Sequence, residues 1–329
     1  MTTLWDTTGS DVVKALSAER RNAGSVSSGL ALTFVVVVEE KLVAEAEAAA
    51  TRAAAQHPCR LIIVVRRRPD APEPRLDAEV VIGGRLGPGE AVVLRMYGRL
   101  ALHAESVVLP LLAPDAPVVT WWFGAPPHLI AHDPLGVFAD RRVTDCSLAQ
   151  EPLGALGSRA DDYAPGDTDL GWTRTTLWRA LCASAFDTIT DEVTHIRVVG
   201  GAHSVRRALL GGWLARRLGT EVTLEDDDGS GVSQVEIHAG NVTLTLTREE
   251  GTAVMSRTGQ PDRTMPLPDR ELGDLLAEEL RRLDPDQPYA EALEAATGTS
   301  GLTERSGVRT HIWHDPVDAV DPDPALTVS

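Results

Sequence analysis

The sequence predicts an α/β protein of two domains, each a mixed sheet with helices packed on it. Three observations carry that expectation. Two runs, "ALTFVVVV" (31–38) and "CRLIIVVRR" (59–67), are apolar on consecutive positions, as strands covered on both faces are, and a helix-forming stretch separates them. Two further strand-like runs flank a Gly-Pro-Gly turn at 87–89. A second strand–helix–strand series starts near residue 193 and runs into closely spaced short strands. The domains are expected at 1–165 and 166–297, followed by a flexible tail at 298–329.

Each element follows from local chemistry. An amphipathic segment at 11–21 opens the chain. After the first buried strand, "EEKLVAEAEAAATRAAAQ" (39–56) is built from strong helix formers and stops at His57-Pro58, because proline disfavours helical geometry in the residue before it. With the strand at 59–67 this makes a right-handed βαβ unit. "RLDAEVVIGG" (75–84) and "EAVVLRMYG" (90–98) read as an antiparallel pair, and a helix across 99–112 leads to the strand "VVTWW". Frequent Pro, Gly and Asp from 125 to 170 predict an irregular connection with short helices. Regular structure restarts over 167–187, with Asp169 available as an N-cap and Leu177, Trp178, Leu181, Cys182 and Ala185 at helical spacing. The second domain then reads as strand 193–199, helix 203–218, strands near 220–225, 232–238, 241–248 and 252–257, and helix 268–283.

Composition narrows the function classes. With 48 acidic against 31 basic residues the formal net charge is -17, which disfavours a nucleic-acid or anionic-lipid surface. No apolar run approaches the roughly 18 residues needed to span a bilayer, and the N-terminus has no charged-then-apolar leader, so a cytoplasmic protein is expected. Cys59, Cys146 and Cys182 are widely separated and read as reduced, packed thiols. The histidines show no paired metal-ligand spacing; His311 and His314, three apart, fall in the tail, and neither a metal nor a cofactor is expected.

The most enzyme-like stretch is "IRVVGGAHSVRRALLGG" (196–212), where a strand meets a Gly-rich turn and a helix. Gly200, Gly201, Ser204, Arg206 and Arg207 could cradle an anion there, as in a small-molecule sensor or a sugar-phosphate enzyme, although neither standard phosphate-loop spacing is present. His103 and Ser106, neighbours on one helical face beside Glu105, have no oriented third group. No complete catalytic set emerges, so an enzyme is not expected.

Residues suited to protein contact are more prominent. Trp121, Trp122 and Phe123 run into Pro126 and Pro127, and successive strand side chains point to opposite faces, so one indole is expected in the core and its neighbour at a partner. The other reading buries both, one against each covering layer of a three-layer domain. Arg141 and Arg142 in "ADRRVTD" read as a solvated ion-pair network, and with Trp172 and Arg174 are possible neighbours of the same contact. Arg174 and Trp178, four apart, should stack on one helical side.

Taken together, "HPCRLIIVV" (57–65), "GEAVVLRMYG" (89–98), "HAESVVLPLLAPDAPVVTWW" (103–122), "DPLGVFADRRVTD" (133–145) and "DTDLGWTRTTLWRALCASAFD" (167–187) resemble the glucose-6-phosphate dehydrogenase assembly (OpcA) family in its actinobacterial form. The resemblance covers most of residues 1–220. It implies a non-catalytic partner of glucose-6-phosphate dehydrogenase that helps the enzyme assemble or reach full activity, and so supports NADPH production in the oxidative pentose phosphate pathway.

Overall fold

A computed structural model describes residues 1–22, 30–83, 89–130, 133–187 and 189–309. The chain opens with β1 (Thr2–Leu4) and α1 (Gly9–Asn22). The buried run forms β2 (Leu32–Val38); a 3-10 turn at Glu40–Leu42 then leads into α2 (Val43–Ala54), which ends at the His57-Pro58 stop before β3 (Cys59–Arg67). β4 (Arg75–Ile82) and β5 (Glu90–Tyr97) pair antiparallel, as their turn chemistry predicts. The helix expected over 99–112 is broken: α3 (Arg99–Leu102) ends at His103, whose backbone leaves the helical region at φ −110° and ψ 41°, and α4 (Glu105–Val108) passes into a 3-10 turn containing Pro110, which cannot donate within a continuous helix. β6 (Val118–Phe123) follows.

The stretch expected to be irregular carries α5 (Pro134–Val137), β7 (Arg141–Thr144), α6 (Pro152–Asp161) and β8 (Asp167–Asp169). Both strands extend the first sheet, whose order is β1-β4-β5-β3-β2-β6-β7-β8, a few residues past the expected boundary at 165. Within it β5, β3, β2, β6, β7 and β8 all run parallel. In chain order these six stand 3-2-1-4-5-6, the doubly wound arrangement, with the winding reversing between β2 and β6. One face of the sheet packs Phe34, Val36, Ile63 and Trp121 against alanines of α2. The other packs Val35, Ile62, Val64 and Leu94 against α1 and the broken helix.

The second unit opens with α7 (Leu170–Thr173), whose N-cap Asp169 accepts from the Gly171 N–H at 2.8 Å, and α8 (Thr176–Phe186). It continues through β9 (Val193–Gly201), α9 (Val205–Leu218), β10 (Val222–Asp227), β11 (Val232–Ala239), β12 (Val242–Glu249), β13 (Thr252–Arg257) and β14 (Gln260–Pro266), then α10 (Leu272–Arg281) and α11 (Gln287–Thr297). The sheet order is β10-β9-β11-β12-β13-β14, with β9 and β10 parallel and the other pairs antiparallel. Trp178, Cys182 and Ala185 of α8 and Leu210 and Leu214 of α9 cover one face.

The two units interlock. α10 lays Leu275, Leu276, Ala277 and Leu280 into the core of the first sheet beside α2. Arg52 of α2 grips Asp274 at 2.9 and 3.0 Å, and His57 Nε2–H donates to the Ala277 carbonyl at 3.0 Å. Residues 298–309 of the expected tail are held in place: Leu302 is buried, and Arg305 donates to the carbonyls of Ala160, Asp161 and Tyr163. His311 and His314 lie outside the described residues.

Candidate functional site

Doubly wound sheets present their ligand crevice at the carboxyl ends of the strands, where the winding reverses. Here that place is the β2–α2 connection facing the end of β6. The connection reads Glu39-Glu40-Lys41-Leu42, with no glycine, a 3-10 turn in place of an open loop, and no side-chain cap on α2. Glu40 accepts from Arg95 at 3.1 Å and lies 3.8 Å from Arg67, and Arg95 also reaches Glu79 at 2.6 Å. Arg66 chelates Asp133 at 2.6 and 2.9 Å. Opposite, Gly124 has φ +110°, and a Cβ placed on it would stand 3.7 Å from Leu42 Cδ1, so Leu42 lies across the end of β6.

These residues do not fit the dinucleotide that such a fold implies. A pyrophosphate needs glycines that let it approach the backbone and free amides at the helix start, with no negative charge facing it. This chain offers two carboxylates and a leucine instead.

The aromatic run is interior. Trp121 is 0% exposed and Trp122 2%. Trp121 stacks toward Phe34 and Phe123 at centroid distances of 6.2 and 4.9 Å on the α2 side. Trp122 points into the opposite layer, where a Cβ on Gly136 would stand 3.3 Å from its ring. The expectation of one outward indole is therefore corrected: β6 is a central strand covered on both faces, and consecutive large residues are both buried. Among the described residues, neither indole N–H group has a hydrogen-bond acceptor. Phe123 is also buried, while Pro126 and Pro127 are partly exposed on a loop tied to α6 through Arg159, which donates to the Pro127 carbonyl at 3.0 Å.

The solvated network expected at Arg141 and Arg142 is likewise corrected, because both arginines lie in β7 and are buried. Arg141 pairs with Glu279 of α10, whose other oxygen accepts from Thr173 at 2.5 Å, and donates to the Asp284 carbonyl at 3.1 Å. Arg142 pairs with Asp167 and donates to the carbonyls of Ala139 and Pro165. Trp172 is buried and donates to Asp286 at 2.9 Å. Arg174 does not stack on Trp178; it chelates Asp145 at 2.9 and 2.6 Å, and Arg179 lies over Trp172 at 3.7 Å.

The Gly-rich turn is not an open cradle. Gly200 and Gly201 end β9 so close to the 229–231 segment that a Cβ on either would meet a backbone oxygen at 2.1 or 2.0 Å. Their lack of side chains serves that approach. Ser204 caps α9 by accepting from the Arg207 N–H at 3.2 Å, and Arg207 spends its guanidinium on Asp226 and the carbonyls of Gly200, Ala202 and Glu225. Arg206 sets its guanidinium against Gly231 of the same segment, where a Cβ would stand 3.3 Å from the guanidinium carbon. The Ser106 hydroxyl donates to the His103 carbonyl at 2.7 Å, which is a helix-end contact. Cys59, Cys146 and Cys182 are free and buried; burial pushes Cys59 and Cys182 up to about 12 and Cys146 upward as well. Such thiols are poor nucleophiles. Among the described residues, no group of three or more His, Cys, Asp or Glu could hold a metal, and no helix is long and apolar enough to cross a membrane.

Two family models match the sequence: the glucose-6-phosphate dehydrogenase subunit N-terminal domain over residues 50–161 and the C-terminal domain of the same subunit over 165–293. No curated protein sequence matches this chain. Among solved structures, an NAD-binding oxidoreductase from Klebsiella pneumoniae is 13% identical, with 84% of this chain and 97% of that chain covered at a TM-score of 0.46. A 3-ketoreductase from Actinomadura kijaniata is 11% identical, with 86% and 99% covered at 0.44.

Proposed function

Because the chain belongs to the glucose-6-phosphate dehydrogenase subunit family, we propose that it is a non-catalytic assembly factor and allosteric activator of that dehydrogenase, supporting NADPH production in the oxidative pentose phosphate pathway. The observation that carries the non-catalytic reading is the β2–α2 connection, where Glu39, Glu40 and Leu42 stand in the place a nucleotide would take. With the β2–α2 connection filled in this way among the described residues, the chain acts on the reaction through the dehydrogenase. It must bind the active form of that enzyme more tightly than the inactive form, since equal affinity for both shifts nothing.

The contact surface is proposed on the side where Pro126 and Pro127 meet α6. Leu148 and Leu153, 53% and 39% exposed, precede Arg159 on the same segment of chain and add exposed apolar area to it. Arg174 is partly exposed at the other end of the same stretch of chain. Light scattering on the dehydrogenase, on this chain and on their mixture tests the reading. A new species containing both chains is expected; two unchanged masses at micromolar concentration would reject it.

A further inference from the structure

The helices that pack on the second sheet lie on one of its faces, where Ile196, Val198, Val235, Leu244 and Leu246 meet α8 and α9. The side chains of the opposite face are half-buried or exposed. Strand register aligns them in rows. Val199, Gln234, Thr247 and Val254 stand side by side on β9, β11, β12 and β13, and Arg197, Glu236, Thr245 and Ser256 form the next row. Charge on this face collects in one cluster. Arg197 reaches Glu225 of β10 at 2.7 Å and Glu236 at 2.5 Å, and His238 Nε2 lies 2.6 Å from the other Glu236 oxygen. The middle of β12 and β13 presents Thr245, Thr247, Val254 and Ser256, with no carboxylate, in a chain of net charge -17.

Size, charge and shape together say what such a face fits. Six strands about 4.8 Å apart, each about seven residues long at about 3.3 Å per residue, span about 24 Å by about 23 Å. Two such faces in contact cover about 1,100 Å² in projection, above the roughly 1,000 Å² that a specific interface needs. Covering this face strands no ion, because Arg197, Glu225 and Glu236 are already paired with one another. An acidic chain repels its own copy, but the uncharged centre of this face adds nothing to that repulsion. The face also matches itself, since sheets of equal twist stack on each other and hydroxyl groups both donate and accept. We propose that the open face of the β10-β9-β11-β12-β13-β14 sheet packs against the same face of a second copy across a two-fold axis, giving a homodimer. This contact belongs to the second sheet, whereas the dehydrogenase contact is proposed beside Pro126 and Pro127.

Sedimentation equilibrium of the full chain at micromolar concentration reads the assembly without the dehydrogenase. The expected mass is that of two copies, not the 35.2 kDa of one. Thr247→Lys sets a cation between Gln234 and Val254, where the dimer would bury it without a partner. It should raise the dimer's Kd at least about tenfold while the far-ultraviolet circular dichroism stays that of the wild type. Ser256→Arg, on the neighbouring strand, should do the same, which keeps the test decisive should one variant fold poorly. A wild type that stays monomeric, or a dimer that survives both substitutions in folded variants, overturns the proposal. A monomer whose binding to the dehydrogenase is lost in Thr247→Lys also overturns it and assigns the face to the enzyme.

Discussion

Trp122 offers a sharp test of where the aromatic run sits. Its indole is 2% exposed on a central strand, and its ring N–H has no acceptor among the described residues. Truncation to alanine removes a whole buried ring and should cost about 3–5 kcal/mol. Trp122→Phe keeps a six-membered ring and deletes the unmet donor. The cavity left by the smaller side chain costs about 1–2 kcal/mol, and relief of the unpaired N–H returns about 1–3 kcal/mol, so the two nearly cancel. The account therefore predicts a large loss for alanine and a net change within about 1 kcal/mol for phenylalanine. Urea unfolding followed by far-ultraviolet circular dichroism measures both as shifts in midpoint. Near-wild-type stability for Trp122→Ala would mean the indole is not core, and an equal loss for both variants would mean the N–H has an unseen partner. A folded Trp122→Phe should also bind the dehydrogenase as the wild type does.

The buried Arg141–Glu279 pair ties β7 to α10, so Glu279→Leu, which strands a buried cation, should cost about 3–5 kcal/mol, while Arg141→Met with Glu279→Leu should recover most of it; urea midpoints of the single and double variants decide. The three thiols should resist Ellman's reagent in the folded chain at pH 8 and react fully in denaturant, because Cys59 and Cys182 are pushed up to about 12 by burial. The same shift makes stability complete below an ordinary thiol value near 9 and progressively lost as pH climbs towards 12, since the folded state holds protons that the unfolded chain releases. On the proposed contact surface, Leu153→Arg should leave Tm within about 2 °C of wild type, as exposed substitutions do, and weaken dehydrogenase binding at least tenfold by surface plasmon resonance.

The parts of the fold legible in sequence are those where one rule dominates. Continuous β-branched runs marked β2 and β3, proline at 58 stopped α2, and helical spacing of Leu177, Trp178, Leu181 and Cys182 marked the buried face of α8. β7 and β8 were hidden because they are four and three residues long and carry Arg141, Arg142, Asp167 and Asp169, whose burial depends on partners distant in sequence. β14 was hidden for the opposite reason: it is an exposed edge strand, rich in charge and bounded by prolines, with little apolar pattern to read. α11 lies past Asp284-Pro285, and no helix was expected there.

The site was less legible than the fold. Local alternation does not reveal whether a strand has one covering layer or two, which decides the fate of Trp122. Spacing on one helix suggested Arg174 over Trp178, but Asp145, 29 residues upstream, captures Arg174 first. The closed crevice could have been read from "VVEEKLV": a buried strand entering a helix through two glutamates and no glycine is itself the signal.

The initial rate of glucose-6-phosphate dehydrogenase, titrated with this chain at fixed substrate and compared with the chain alone, addresses the central claim most directly. The expected result is no NADPH formed by the chain alone and a saturable change in the dehydrogenase's rate, with a midpoint that tracks complex formation. NADPH formation by the chain alone, or a dehydrogenase rate that stays flat while the two proteins are shown to be folded, would contradict it.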